Sequence, residues 1–228
     1  MLFILILIFI ILFAVISGGG KGRGQLSQED ENILSSAPPG LKIETLVRHY
    51  FNTHVTKGTF MDFSSVLRDG QDIPNGLPLW LFKVVDGNRI YLDLDGFNNE
   101  LKIAFEYNGI LHYAPADPNI EKDIQSYETK VMNDGIKMQK SRENNVILII
   151  IHYKIHITQL KNYVKSRLSD TGALKAEYMN KFEYINVIPE PARWSRGMNT
   201  PSTQPYIMTV PPNVHNKLTK MVYVPKYK

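Results

Sequence analysis

Apolar side chains recur between Lys42 and Thr53 at Ile43, Leu46, Val47, Tyr50 and Phe51. This i, i+3, i+4, i+7, i+8 spacing lays one stripe along an amphipathic helix. Glu44 and Arg48 fall on its flank. Between Gly70 and Gly87 the turn formers Gly70, Pro74, Asn75, Gly76, Pro78 and Asp86-Gly87 surround a short apolar patch, Leu79 to Phe82, which predicts loop and then strand. From Arg89 to Asp95 the period changes to two: Ile90, Leu92 and Leu94 alternate with Tyr91, Asp93 and Asp95. Gly96 to Glu100 then supplies a turn and Leu101 to Tyr107 a second strand, which together predict a β-hairpin. The stretch from Ile120 to Arg142 is polar and permits a helix. After it, Val146 to Ile151 is an unbroken aliphatic run, as expected of a strand covered on both faces. Leu160, Tyr163, Val164 and Leu168 predict a last helix over 157–168, able to cover the sheet. Helix, hairpin, helix, buried strand and helix in this order predict an α/β domain.

The two ends differ from this middle. Leu2 to Ile16 are all apolar and precede the glycine-rich run Gly18 to Gly24. Fifteen helical residues reach only ~22 Å, short of the ~30 Å hydrocarbon core. Residues 1–17 are accordingly assigned as a hydrophobic anchor or signal segment, with a mis-assigned start codon as the third option. The nearest cations, Lys21 and Arg23, follow the apolar run, and as an anchor it would leave the remainder on the cytosolic side. Glycines, prolines and the acidic run Glu29 to Glu31 suggest a flexible linker over 18–40. The folded domain is then expected over 41–170. Six prolines between Pro189 and Pro212 break up the region after it, so 171–228 is expected to be an extended, Pro-rich tail.

Charge sharpens that division. The formal net charge of the 228-residue chain is +4, and eight Lys and Arg against three Glu place the excess in the last 57 residues. A basic tail favours anionic partners, nucleic acid or lipid headgroups. The chain has no cysteine, which excludes disulfides, thiolate metal sites and Cys nucleophiles. Any metal must use oxygen and nitrogen ligands.

The chemistry-bearing residues lie between Tyr91 and Tyr153. A hairpin would bring Asp95 and Glu106 to one edge, where two carboxylates make a hard-oxygen site for Mg²⁺ or Mn²⁺. Glu106 stands in an otherwise apolar strand, and burying it alone costs several kcal/mol, so it needs a cation or donor. His112 follows within a few residues. Asp134, Lys137 and Lys140 share helical spacing before the buried strand. Each residue also has an ordinary explanation: Asp95 as the turn residue before Gly96, His112 as a hydrogen-bonded structural histidine, and Lys137 with Lys140 as a solvated helix face.

Taken in order, Pro78-Leu79-Trp80-Leu81, Leu94-Asp95-Gly96-Phe97-Asn98, Glu100 to Gly109, His112-Tyr113, Asp134-x-x-Lys137 and Asn144 to Ile151 resemble the PD-(D/E)XK, or restriction-endonuclease-like, nucleases. The nearest branch is the very-short-patch-repair-like one, and the likeness spans about Leu41 to Leu168. It implies a restriction-endonuclease-like core, a central mixed β-sheet flanked by helices, and a metal-dependent endonuclease that hydrolyses phosphodiester bonds in DNA. Asp95 and Glu106 would bind the metal, Glu44 would contribute a further acid, His112 would move a proton or hold the phosphate, and Lys137 would stabilise the transition state. A lysine usually stands two positions after the second acid, where this chain has Asn108. Leu111 replaces a frequent Gln, and His152 a frequent Pro. The alternative is a catalytically degenerate nuclease fold retained as a nucleic-acid- or partner-binding module. Nothing in the pattern marks an oligomer interface.

Overall fold

The structure, a computed structural model, describes residues 25–62, 78–185 and 193. The hydrophobic segment 1–17 and most of the tail lie outside them. Among the described residues no helix is long and apolar enough to cross a membrane.

Helix α1 (Gln28–Ser36) occupies part of the stretch expected to be a linker. Ser27 caps it: the hydroxyl accepts from the Asp30 backbone N–H at 3.2 Å, and the Asp30 carboxylate accepts from the Ser27 N–H at 3.1 Å. This reciprocal box satisfies two orphan donors. The acidic run that suggested a linker is the first turn, where the helix dipole favours negative charge. Ile33 and Leu34 pack on the core. Helix α2 (Lys42–His54) buries Leu46, Val47, Tyr50 and Phe51, the stripe its periodicity predicts.

Strands β1 (Phe82–Val85) and β2 (Asn88–Tyr91) form a separate antiparallel ribbon. Its turn is Asp86-Gly87, both at positive φ (51° and 80°), the conformation that suits the twist of a two-residue hairpin. The main sheet has the order β3-β4-β5, with β3 (Gly96–Asn98), β4 (Ile103–Asn108) and β5 (Ile147–His152). β3 runs antiparallel to β4, and β4 parallel to β5. Helix α3 (Glu121–Glu143) provides the long crossover that a parallel pair requires. The result is a mixed α/β architecture.

The expected hairpin is thus divided. Arg89 to Tyr91 pairs backwards with β1, while Gly96 to Asn98, expected to turn, forms the strand facing β4 with Gly96 opposite Phe105. Gly96 serves close approach: a Cβ there would sit 2.7 Å from Phe105 Cζ. The turn moves to 99–102, where Lys102 takes φ 55°.

Alternation along β4 separates two faces. Ile103 and Phe105, with Ile147, Ile149 and Ile151, join α2 and helix α4 (Leu160–Thr171) in the main core. Phe51 stacks on Phe105 with centroids 4.6 Å apart. Ala104 on the other face meets Leu81, Leu94, Phe97 and Leu148. Folded structure also runs past the expected boundary at 170. Gly172, at φ 74°, caps α4, after which Ala173 and Leu174 enter the core and Leu174 bridges to Val55. No helical stripe continues there. Single buried residues, not a periodic run, tie this segment down.

Candidate functional site

Glu106 follows from the pattern of β4: one position after Phe105, it faces away from the α2/α4 core. β3 begins opposite Phe105, which sets Asp95, just before it, across from Glu106. The two interlock through backbone. The Asp95 N–H donates to Glu106 Oε1 at 3.2 Å, and the Tyr107 N–H donates to Asp95 Oδ2 at 2.6 Å. Asp95 is therefore more than a turn residue.

Helix α3 supplies the cation. Lys137 Nζ lies 2.8 Å from Glu106 Oε2 and 3.5 Å from Asp93 Oδ1. Glu106 is 4% exposed and Lys137 8%, so Lys137 does not belong to a solvated face. Lys140 does: it pairs with Glu143 at 2.9 Å and stands over the Phe82 ring. Helix α2 closes the other side. Arg48 Nε donates to the Asp95 carbonyl at 3.0 Å, and its terminal nitrogens pair with Glu44 at 2.9 Å and Asp62 at 3.0 Å.

Among the described residues, five carboxylates, Glu44, Asp62, Asp93, Asp95 and Glu106, thus gather around two cations, Arg48 and Lys137. Burial first, and then the Asp95 charge, push Glu44 up to about 7, against the pull of Arg48. Burial also raises Asp95, against the Tyr107 N–H and Lys137. Glu106 is raised well above the usual carboxylate range by burial, with Asp95 adding to the push and Lys137 opposing it. For Lys137 burial disfavours the ammonium, but Glu106 and Asp93 outweigh it and the net direction is up. The group is short of positive charge, and that is the electrostatic condition for taking up a cation.

Among the described residues no group of three or more His, Asp or Glu side chains is arranged to hold a metal. Magnesium keeps most of its waters and takes one or two carboxylates; the Asp95/Glu106 pair matches that demand in type and number.

His112 ends a short 3-10 turn, Ile110–His112. Its Nδ1 is 3.1 and 3.0 Å from the two Asp134 oxygens. Asp134 is buried on α3, one turn before Lys137, so the histidine pair and the lysine–glutamate pair are joined by adjacent turns of one helix, ~5–6 Å apart. The Arg193 guanidinium reaches the same Asp134 at 3.2 Å and stands over Tyr113. Asn108 is buried at the end of β4, opposite His152. His152 packs at a tilt against Tyr113, ring centroids 4.4 Å apart, and burial pushes its pKa down to about 4.

The structure therefore joins Asp95, Glu106 and Lys137 directly, with Glu44 added through Arg48. His112 goes to Asp134 instead of to the carboxylate pair. Sequence reasoning missed Arg48, Asp62, Asp93 and Arg193 as members. Arg48 and Asp93 had a signal, the i+4 spacing from Glu44 and the period of two before Asp95. Arg193, 59 residues from Asp134, had none.

No protein-family profile matches the chain, and no solved structure does. Two viral proteins are similar in sequence. Uncharacterized protein 307L of invertebrate iridescent virus 6 is 26% identical over 186 residues, which cover 77% of this chain and 93% of that protein. Uncharacterized protein 033L of invertebrate iridescent virus 3 is 29% identical over 99 residues, or 43% of this chain and half of that protein.

Proposed function

We propose that the chain is a metal-dependent endonuclease with a restriction-endonuclease-like core, hydrolysing DNA phosphodiester bonds with Mg²⁺ or Mn²⁺ at Asp95 and Glu106. One observation carries this: Lys137 Nζ lies 2.8 Å from Glu106 Oε2. An aspartate, a glutamate and a lysine come together as a PD-(D/E)XK site requires, although Asn108 holds the usual lysine position and the ammonium arrives from α3.

When bound, the ion supplies Lewis acidity to the scissile phosphate and acidifies an attacking water. Asp95 and Glu106 hold it, and the Tyr107 and Asp95 backbone N–H groups fix the orientation of both carboxylates. Lys137 offers positive charge to the phosphate oxygens as charge builds on them. Asp134 orients His112 through Nδ1 and leaves the other ring nitrogen to accept or donate a proton, the geometry of a base held by a carboxylate. Arg48 keeps Glu44 beside Asp95 as a further acid. The basic tail adds sequence-independent phosphate contacts.

The test is cleavage of supercoiled plasmid with Mg²⁺ or Mn²⁺ by wild type, Asp95→Ala, Glu106→Ala and Lys137→Met. Nicking by wild type alone is expected. No cleavage of duplex, nicked or single-stranded DNA or RNA with either metal overturns the enzyme reading. A second reading, a degenerate nuclease fold that binds nucleic acid or a partner, is favoured by Asn108 and by the protein donors that already engage both Glu106 oxygens. It predicts duplex binding without nicking.

A further inference from the structure

The β1–β2 ribbon stands apart from the main sheet. Among the described residues no other strand pairs with either of its edges. Every residue from Val84 to Ile90 is exposed, including Val84 at 62% and Ile90 at 44%. An isolated two-stranded hairpin is marginal in water, and exposed apolar edges invite unwanted pairing. This one is pinned at its base instead. Phe82 meets Tyr91 edge-on, Arg89 stacks 4.6 Å above the Phe82 ring, and Lys83 donates to Asn133 of α3 at 3.0 Å. The base is packed and the tip is exposed.

Its position matters as much as its exposure. Asp93 stands two residues beyond β2, so the ribbon rises from the rim of the carboxylate group. That group repels a polyanion, and a nucleic-acid substrate must be held by cations beside it. Lys83 and Arg89 on the ribbon, against the single ribbon acid Asp86, supply positive charge at that rim. Strands of four residues make a ribbon ~13 Å long, and a two-stranded ribbon fits the ~12 Å major groove of duplex DNA.

We propose that the β1–β2 ribbon is the substrate-engaging element, entering the major groove of duplex DNA tip first, so that Lys83 and Ile90 on one face and Val84 and Arg89 on the other meet opposite walls of the groove, the two cations on phosphates. This rests on the nuclease reading and deepens it, since it names the element that holds the duplex over Asp95 and Glu106. It also gives the protein a reader separate from the basic tail.

The test is fluorescence anisotropy of the full chain on a labelled DNA duplex, in EDTA so that nothing is cut, over a series of salt concentrations. Two double variants are compared with wild type, Lys83→Gln with Arg89→Ser and Val84→Thr with Ile90→Thr, and each is checked for an unchanged Tm. Removing two phosphate contacts should weaken binding ~10-fold or more and reduce the magnitude of the log–log salt slope by about 1.8. The threonine pair should weaken binding with the slope unchanged. If wild type binds duplex and both variants bind equally well with the same slope, the ribbon proposal is overturned and the nuclease reading stands. Weakening that appears only alongside a lowered Tm also overturns it. Wild type that neither binds duplex nor nicks plasmid overturns both.

Discussion

Replacing Lys137 with Met removes the ammonium while keeping most of the side-chain volume, and the consequence follows from Glu106. That carboxylate is 4% exposed and 2.8 Å from the lysine, a separation at which the attraction is ~6 kcal/mol for an effective dielectric of about 20. The loss of stability is smaller, because Lys137 no longer has to be desolvated; breaking one side of a buried pair costs ~3–5 kcal/mol. Glu106 has an escape, which is to take up a proton. Its folded-state pKa is already raised, and losing Lys137, which opposes that rise, lifts it further. The folded variant then keeps a proton that the unfolded chain has released, so stability falls as pH rises above the unfolded value near 4.5. The limit is ~1.4 kcal/mol for each pH unit. The destabilisation should accordingly be larger at pH 8 than at pH 5.5, rising towards the ~3–5 kcal/mol of a broken buried pair as Glu106 is forced to ionise. Urea unfolding at the two pH values measures it. Adding Glu106→Gln should remove most of the pH dependence, and Mg²⁺ should stabilise Lys137→Met more than wild type, since the variant lacks its internal cation. A cost below ~1 kcal/mol at pH 8, or the same cost at both pH values, refutes the account of Lys137 as the internal counter-charge of this site.

Four further outcomes follow from the same geometry. Glu44 is raised from 4.5 to about 7, a difference of ~3 kcal/mol that solvent screening at the site's rim reduces to ~1–2 kcal/mol. Wild-type stability should therefore decline between pH 4.5 and 7, and Glu44→Gln should flatten the decline; chemical denaturation across that window checks it. Millimolar Mg²⁺ or Mn²⁺ should raise the wild-type Tm and leave Asp95→Ala unmoved, by scanning calorimetry; an equal rise in both places the metal elsewhere. Gly96→Ala would drive a methyl into the Phe105 ring, which is stacked on Phe51; a loss of ~2–3 kcal/mol in urea is expected, and a neutral variant refutes the close-approach role. His112→Ala and Asp134→Asn should each lower nicking ~10²-fold, with the double variant little worse, because the two act as one unit.

What the sequence made legible depended on whether a residue's partner lay on its own element. The α2 stripe and the aliphatic run of β5 announce themselves by period, since burial against any neighbour demands the same spacing. Strand pairing does not. Ile90 to Leu94 alternates as a strand should, yet alternation cannot say which neighbour it meets, and Asp86-Gly87 drew β2 back to β1 and left Gly96 to Asn98 for β4. A dipeptide that takes two positive φ angles with ease outweighed the longer loop of the expected hairpin. The acidic first turn of α1 was hidden for a similar reason, because negative charge suits a helix start as well as a linker.

The site shows the same division. Asp95 and Glu106 were legible because a buried carboxylate in an apolar strand demands a partner, and the nearest acid across a turn was the natural one. The lysine was harder to place, because spacing on α3 gives Asp134, Lys137 and Lys140 one row without saying where the row ceases to be solvated. The structure puts that limit between Lys137 and Lys140: Lys137 is covered where the helix crosses β4 at Glu106, and one turn later Lys140 reaches Glu143 at the surface. Asn108 sits on the same strand as Glu106, two residues on, so a lysine there would stand beside the carboxylate along one face. The ammonium reaches it instead from α3, the helix that packs on this face of the sheet. On the proposed nuclease reading, α3 supplies the positive charge that β4 lacks at Asn108, and α3, which carries both Lys137 and Asp134, is the part whose displacement would disturb the carboxylate pair and the histidine pair together.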